Sequence, residues 1–155
     1  MATTILTMPP ELPDTRPPAG EPWDSMLSVL PRPVAQLERT DVPVEPGVYL
    51  WRWHGRIAYV GTASSLRTRI WGRHLGGGFS LGSSSLRRDV AEFLLGIPTT
   101  ETIKGRRKLT VDERDVVRTW LQSCDIAWRI LPTPADAAAF EDELRRVWWP
   151  PLNRV

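Results

Sequence analysis

The stretch from Gly47 to His74 constrains the fold more than any other part of the chain. It holds two short runs rich in aromatic and β-branched residues, a His-Gly pair between them, and then a segment with helical spacing. This order predicts a β-hairpin that leads directly into a helix. Each predicted strand carries one tyrosine beside a glycine, in the triplets Gly47-Val48-Tyr49 and Tyr59-Val60-Gly61.

The turn of this hairpin decides whether the two tyrosines share a face of the sheet. A two-residue turn would pair Tyr49 with Val60 and place the tyrosines on opposite faces. A three-residue loop from Trp53 to Gly55, with Gly55 left-handed as a bulge, pairs Tyr49 with Tyr59 on one face. We predict the three-residue loop.

The rest of the chain predicts an α/β sandwich in which a small three-stranded sheet is flanked by about four helices. Strands are expected over 48–53, 56–60 and 125–131. Helices are expected from a Thr62 or Ser64 cap to about Leu75, over 83–95, from the Thr110 capping box onward, and from Pro134 to the Pro150-Pro151 stop. Residues 23–30 are expected to form one or two further helical turns.

Prolines divide the chain, because ten of the fifteen lie in residues 1–46. Helix interiors exclude proline, so we expect residues 1–45 to form a Pro-rich arm and lead-in. Within it, residues 1–22 are predicted to be mobile or draped over the surface. Residues 46–155 are expected to form the single functional domain.

The basic residues are concentrated in the middle of the chain, although the net charge is only +2. Residues 56–108 hold ten basic and three acidic groups, a local net charge of +7. This segment suits a phosphate backbone, with a solvated mixed-charge surface as the alternative. Arginine outnumbers lysine 18 to 2, which suits phosphate contacts but also follows from a GC-rich genome.

Composition also limits the cellular compartments and the classes of protein that fit this sequence. The single cysteine, Cys124, excludes an intramolecular disulfide and a cysteine-built zinc site. No apolar run approaches a membrane span, and the first 22 residues lack the pattern of a secretory signal. We therefore expect a cytoplasmic protein with no membrane partner.

Glu141 is the residue of the last helix that does not fit its amphipathic pattern. It falls at the edge of the apolar arc, close to Trp148 on a helical wheel. A partly desolvated carboxylate needs a counter-charge, a hydrogen bond or a metal ion. The alternatives at this stage are a salt bridge to an arginine and a metal site.

The two triplets, followed by Ser65-Leu66-Arg67-Thr68-Arg69, resemble the GIY-YIG nuclease family. The resemblance continues in the last helix and tail, where Glu141 and Leu144 precede a Pro-x-x-Asn sequence from Pro150 to Asn153. The two motifs lie in the family's order, and the similarity spans about residues 46–153. It implies the family's fold, an antiparallel-type sheet flanked by helices, and metal-dependent hydrolysis of phosphodiester bonds.

Carried over position by position, the resemblance assigns five site residues. Tyr49 and Tyr59 match the family's tyrosines, Arg69 its arginine, Glu141 its metal-binding glutamate, and Asn153 the asparagine near its end. It implies that Glu141 holds one Mg²⁺ or Mn²⁺ ion and that Arg69 stabilises the transition state. A tyrosine, with Tyr49 preferred, is expected to accept the proton of the attacking water, provided that nearby cations lower its pKa.

This sequence departs from the family pattern at two positions. Thr62 stands where many members have lysine, and Arg73 stands where several have histidine. His74 lies one residue further, roughly 140° around an α-helix from Arg69. It is therefore expected at the periphery of the site unless the helix is distorted.

Substrate contacts are expected from basic side chains and from the loops Gly76–Ser85 and Gly96–Leu109. The predicted nucleic-acid-binding residues are Arg67, Arg73, His74, Arg87, Arg88, Lys104, Arg106, Arg107 and Lys108. Trp120, Trp128 and Trp148 are expected in the core, and one of Trp51, Trp53 and Trp71 is a candidate for stacking on a base.

The sequence thus predicts a small metal-dependent DNA endonuclease. The alternative is a module of the same fold that binds nucleic acid without cutting it. The sequence does not decide between DNA and RNA, or between a monomer and a homodimer.

Overall fold

The computed structural model describes residues 10–153 and contains one four-stranded antiparallel sheet. The strands are β1 (Arg32–Pro33), β2 (Gly47–Trp53), β3 (Arg56–Ala63) and β4 (Asp125–Ile130), in the order β1-β4-β2-β3. The predicted mixed α/β fold is confirmed, whereas the prediction of three strands is wrong. The additional strand is the two-residue β1, which pairs with the start of β4 and carries too short a pattern to be recognised in sequence.

Helices cover both faces of this sheet. The α-helices are α1 (Trp23–Leu27), α2 (Ser85–Leu95), α3 (Thr99–Thr102), α4 (Val111–Gln122) and α5 (Pro134–Val147), and a π-helix spans Arg67–His74. Short 3₁₀ turns lie at Val34–Gln36, Arg39–Asp41 and Ile103–Gly105. The single turn α1 lies in residues 23–30, where further helical turns are expected, and the single turn α3 lies in a segment predicted as a loop. Within residues 10–153, no helix combines the length and the apolar character needed to cross a membrane.

The hairpin turn differs from the prediction, but the two tyrosines still share a face. Trp53 pairs with Arg56 across a two-residue turn in which His54 and Gly55 both have positive φ, as in the turn type that matches strand twist. A bulge further along then shifts the register, because Trp51 pairs with Tyr59 while Arg52 pairs with Ile57. The extra residue in β3 restores the alternation that a two-residue turn alone would have reversed.

The sheet separates two apolar clusters. One face carries Tyr49, Trp51 and Tyr59 and packs on the π-helix, α2 and α4. The opposite face carries Val48, Leu50 and Val60 and packs on α1 and α5. The site residues from the hairpin and the glutamate from α5 thus belong to layers on opposite sides of one sheet.

The N-terminal segment is part of the core within the described residues. Leu12 is buried in the cluster on the tyrosine face, while Trp23 and Met26 of α1 are buried on the opposite face. Trp23 donates its indole N–H to the Leu144 carbonyl at 2.8 Å. Residues on both sides of position 45 therefore contribute to the packed core. The prediction of a mobile or draped arm falls partly on residues 1–9, outside the described residues.

The start of the π-helix is hydrogen-bonded to the backbone of the lead-in. Leu66 N–H donates to the Glu45 carbonyl at 2.9 Å, and Arg67 N–H donates to the Pro43 carbonyl at 2.8 Å. These two bonds satisfy amides that every helix start leaves open. The Ser65 hydroxyl oxygen accepts the Thr68 N–H at 3.4 Å, so the predicted cap at Thr62 or Ser64 is wrong, and Ser65 together with the backbone of residues 43–45 takes its place.

Candidate active site

The two motif tyrosines lie side by side on one face of the hairpin. Their ring centroids are 6.2 Å apart, and both side chains are almost completely buried. A Cβ added at Gly61 would come within 2.4 Å of both Cζ and the hydroxyl oxygen of Tyr49. The glycine is therefore required because the Tyr49 ring crosses β3 directly over it, which brings the hydroxyl toward the edge of the sheet.

His74 is the hydrogen-bond partner of Tyr49. The Tyr49 hydroxyl is bonded to His74 Nε2, and His74 Nδ1 lies 2.7 Å from the hydroxyl oxygen of Ser84. Ser84 is also the N-cap of α2 and accepts the Arg87 N–H at 3.1 Å. Next to it, Ser85 is bonded to the Tyr59 hydroxyl at 2.7 Å. Two consecutive serines at the start of α2 therefore connect to both tyrosines.

His74 meets the exception made in the sequence analysis, because the helix that carries it is distorted. It is completely buried, so it is not an exposed contact for nucleic acid. Its helix has π geometry, shown by the bond from Leu75 N–H to the Ile70 carbonyl. Because a π-turn joins residues five apart, His74 lies about one turn beyond Arg69 instead of on another side.

Burial controls the protonation of this network. It lowers the pKa of His74 to about 3, with further lowering by Arg69, Arg73, Arg87 and Arg88. His74 is therefore neutral near pH 7. Burial also raises the pKa of Tyr49 well above its ordinary value, so Tyr49 is a protonated phenol in this structure. Of the nearby cations, Arg69 lowers the pKa of Tyr49, but burial has the larger and opposite effect.

Arg69 and Glu141 both act on the tyrosines. After burial and the neighbouring Tyr59, the pKa of Tyr49 is affected by Arg69, which lowers it, and by Glu141, which raises it. Burial is likewise the main cause of the raised pKa of Tyr59, to which Glu141 also contributes. The charges of Arg69 and Glu141 also act on each other. The four residues therefore form one electrostatic group, although α5 approaches from the other face of the sheet.

Glu141 has a raised pKa and a weak ion pair. Its side chain is 12% exposed, and Oε1 lies 3.4 Å from Nη2 of Arg145. Burial raises the pKa of Glu141 and Arg145 lowers it, and burial has the larger effect. The salt bridge that sequence reasoning left open is therefore present, but it only partly compensates the carboxylate.

A divalent ion fits the donor chemistry of this position. A partly desolvated carboxylate is a hard oxygen ligand, and Mg²⁺ commonly uses one or two carboxylates and keeps several waters. Within residues 10–153, no group of three His, Cys, Asp or Glu side chains is arranged to enclose a metal. The residues thus match a largely hydrated ion bound through Glu141 and do not match a protein-enclosed one.

Asn153 lies at the edge of the sheet and not among the tyrosine hydroxyls. Its amide nitrogen donates to the Val60 carbonyl at 2.8 Å, and its amide oxygen accepts the Val60 N–H at 2.9 Å. Leu152 N–H donates to the Ala58 carbonyl at 2.9 Å. The tail therefore pairs with the open edge of β3, and both polar groups of the Asn153 side chain are used there. This makes Asn153 a positioning residue for the strand that carries Tyr59.

The predicted nucleic-acid-binding residues divide into two groups. One group has structural partners: Arg67 donates to the Val42 carbonyl, Arg87 and Arg88 donate to carbonyls of the loop before α2, and Arg107 pairs with Glu113. The other group is exposed and consists of Arg73, Lys104, Arg106 and Lys108. Only this second group presents charge to a partner without rearrangement of the bonds just described.

The tryptophans follow the prediction only in part. Trp120 is buried in the core, and Trp128 and Trp148 are partly buried against it. Trp51 and Trp53 are also buried, which removes them as stacking candidates, whereas Trp71 is partly buried. Trp149, which sequence reasoning did not single out, is 38% exposed and lies under the Arg145 guanidinium at 4.8 Å.

Sequence reasoning also missed Ser84 and Ser85 as site residues. Both lie in a Gly- and Ser-rich run whose composition indicates only a loop. The N-cap preference for serine before a helical pattern predicts a cap at this point. It does not predict contact with a histidine ten residues earlier.

A scan of the sequence against protein-family models found no matching family, and a search of curated proteins found no match either.

Proposed function

We propose that this protein is a metal-dependent endonuclease of the GIY-YIG type that hydrolyses phosphodiester bonds in DNA. The observation that carries the proposal is the pair of buried tyrosines on one face, 6.2 Å apart, with Arg69 and Glu141 near enough for their charges to affect the pKa of Tyr49. These four residues come from three separate segments of the chain. Two of them carry opposite charges, which suits the binding of a phosphate and of a cation at one place.

Arg69 has the chemistry to bind the scissile phosphate. It is partly buried, next to the tyrosines, and shares its helix with the exposed Arg73. A guanidinium in such a position stabilises negative charge that grows on phosphate oxygens. Glu141 would hold the divalent ion, which supplies charge neutralisation at the phosphate and at the leaving oxygen.

Proton transfer would run through Tyr49 to His74. The Tyr49 hydroxyl is protonated and bonded to His74 Nε2, and neutral His74 has an acceptor nitrogen. As Tyr49 takes a proton from the attacking water, it can pass its own proton to His74, so that no free phenolate forms. A phosphate that approaches the site raises the low pKa of His74, because it is a nearby negative charge.

The proposal is tested by cleavage of supercoiled plasmid DNA with Mg²⁺ or Mn²⁺. Glu141→Gln and Arg69→Gln are expected to lower the rate by about 100-fold or more, the scale of losing one transition-state charge partner. The matched controls are Glu143→Gln and Arg146→Gln, exposed residues of α5 outside the predicted binding group, and both are expected to stay within a few-fold of wild type. Thermal melting checks that each variant is folded.

The outcome that contradicts the enzyme is identical products from wild type and Glu141→Gln over a full metal titration. The comparison is made on duplex, single-stranded and branched DNA and on RNA. Cleavage of RNA alone, lost in Glu141→Gln, would retain the chemistry and correct the substrate.

A second candidate function is a nucleic-acid-binding module that does not cut. The Tyr49–His74 pair favours this binding function, because both side chains are buried and are hydrogen-bonded to each other. This candidate predicts binding of labelled DNA by fluorescence anisotropy that is independent of metal and unchanged in Glu141→Gln. The endonuclease predicts binding that is retained in Glu141→Gln and cleavage that is lost.

A further inference from the structure

Arg52 is a partly buried guanidinium without a hydrogen bond or salt bridge in the part of the chain that the structure describes. Its Nε atom is buried with no hydrogen-bond partner. Its neighbour across the sheet is Asp125 of β4, and that carboxylate raises the pKa of Arg52 less than burial lowers it. A buried charge without a partner is costly, so this position favours an additional anion.

A cavity of about 330 Å³ lies against Arg52. Its walls come from residues 14–19 of the N-terminal segment, from α1, and from the turn end of the β2–β3 hairpin. Arg52 alternates with Trp51 and Trp53 along β2 and points to the face opposite the tyrosines. None of the five candidate site residues lines this cavity, so it is separate from the candidate active site.

The lining combines cationic and apolar groups. Arg16, Arg52 and Arg56 face Asp14 and Asp24, which leaves one excess positive charge, while Pro17, Pro18, Leu27 and Ile57 supply apolar surface. Arg56 is already engaged with the Leu12 carbonyl and Glu11, and Arg16 is paired with Asp14 at 3.9 Å. Arg52 is thus the cation of this cavity that has no salt bridge.

We propose that this cavity binds a small organic anion through its phosphate or carboxylate group, with Arg52 as the anchoring residue. A planar guanidinium presents paired N–H donors that match both oxyanions. The volume falls within the range of small-molecule sites. The apolar wall accommodates a ring or short chain, which distinguishes the ligand from a bare inorganic ion.

The test uses the full chain and three ring compounds that differ only in their head group: phenyl phosphate, benzoate and the neutral benzamide. The side-chain Nε–H signal of Arg52, assigned through bonds in the wild type, is followed by NMR during titration. We expect a saturable shift with at least one of the two anions, with a dissociation constant of about 1 mM or tighter. Benzamide is expected to leave the signal unchanged. Comparison of the two anions identifies the head group.

Variants then assign the effect to Arg52. Arg52→Gln is expected to weaken anion binding about tenfold or more, because charge-assisted hydrogen bonds are lost. Arg52→Lys retains the charge but not the paired donors, and an intermediate loss is expected. Arg129→Gln is the matched control, since Arg129 lies on the same face of the sheet but outside the cavity.

Three results overturn the proposal. The first is the absence of a shift with either anion up to about 10 mM, ten times the expected constant. The second is an equal shift with benzamide, which would show that the ring and not the anion is recognised. The third is equal anion affinity in Arg52→Gln and Arg129→Gln. The first two are measured on wild-type protein, so they stand even if a variant fails to fold.

Discussion

Tyr49, His74 and Ser84 form a chain of hydrogen bonds that excludes solvent, whereas Glu141 and Arg145 form an ion pair near the surface of the same candidate site. In the first region each polar side chain is fully buried or nearly so and has a partner. In the second, the side chains are 12% and 27% exposed, the charged atoms are 3.4 Å apart, and Arg145 Nε is buried without a partner. The polar groups of Tyr49, His74 and Ser84 are thus hydrogen-bonded, whereas the pair of Glu141 and Arg145 retains a buried polar atom without a hydrogen bond.

This difference suggests how binding energy would be distributed in the proposed enzyme. The buried network is preorganised, so little of it needs to move when a substrate arrives. The glutamate is only partly compensated, and replacing Arg145 by a divalent ion would exchange a weak pair for a stronger ligand interaction. Stability is therefore expected to depend on the first region, and metal affinity on the second.

The largest expected effect on stability comes from His74→Ala. The change leaves the Tyr49 hydroxyl without its partner and opens a cavity in the core, so the free energy of unfolding is expected to fall by about 3 kcal/mol. Urea denaturation followed by tryptophan fluorescence measures this free energy of unfolding.

His54→Asn is the matched control, because the other histidine of the chain is exposed at the hairpin turn. Asparagine tolerates its positive φ, so a change below about 0.5 kcal/mol is expected. Equal losses in the two variants would show that the network does not stabilise the fold.

The buried network also shows which features were predictable from sequence. The hairpin and the last helix, with Pro134 at its start, follow local patterns of alternation and period, and the structure contains them. The prediction that the tyrosines share a face is correct, but the reason given for it was not. The register shift comes from a bulge opposite Trp51 and Arg52, in a run of residues with no turn signal. A bulge of this kind is set by packing on both faces of the sheet.

The position of His74 was beyond a sequence argument for a related reason. An α-helical wheel separates it from Arg69, and only the π geometry brings the two onto one side. That geometry is stabilised by tertiary contacts, since His74 itself is bonded to Tyr49 and Ser84. A helical period read from sequence assumes 3.6 residues per turn, so it misplaces any residue beyond a local change of period. The partly buried position of Glu141 was predictable, because α5 is a regular helix and a helical wheel places Glu141 at the edge of its apolar arc.

The next largest effect is a loss of stability in acid that depends on His74. Its pKa is about 3 in the folded protein and about 6.5 in an unfolded chain. Between these values the unfolded state binds more protons, so stability is complete above pH 6.5 and is lost as pH falls toward 3. Two pH units below 6.5, the loss assigned to this histidine is roughly 2–3 kcal/mol. Denaturation of wild type and His74→Ala at pH 7.5 and 4.5 isolates it, because the other titrating groups are shared. If the difference between the two proteins is the same at both pH values, His74 does not carry the effect.

The smallest expected effect on stability comes from Arg145→Gln, which breaks the ion pair between Arg145 and Glu141. Both side chains are partly buried and are joined by one contact at 3.4 Å, so the free energy of unfolding is expected to fall by about 1 kcal/mol, the net contribution of a single hydrogen bond. The pKa of Glu141 should rise further, because Arg145 is the main group that lowers it. Side-chain carboxyl NMR over a pH titration measures that rise directly. Arg146→Gln, an exposed neighbour on the same helix, should leave the Glu141 titration unchanged. A loss of stability as large as that of His74→Ala would contradict the contrast between the two regions, because it would show that the ion pair of Arg145 stabilises the fold as strongly as the buried hydrogen-bond network does.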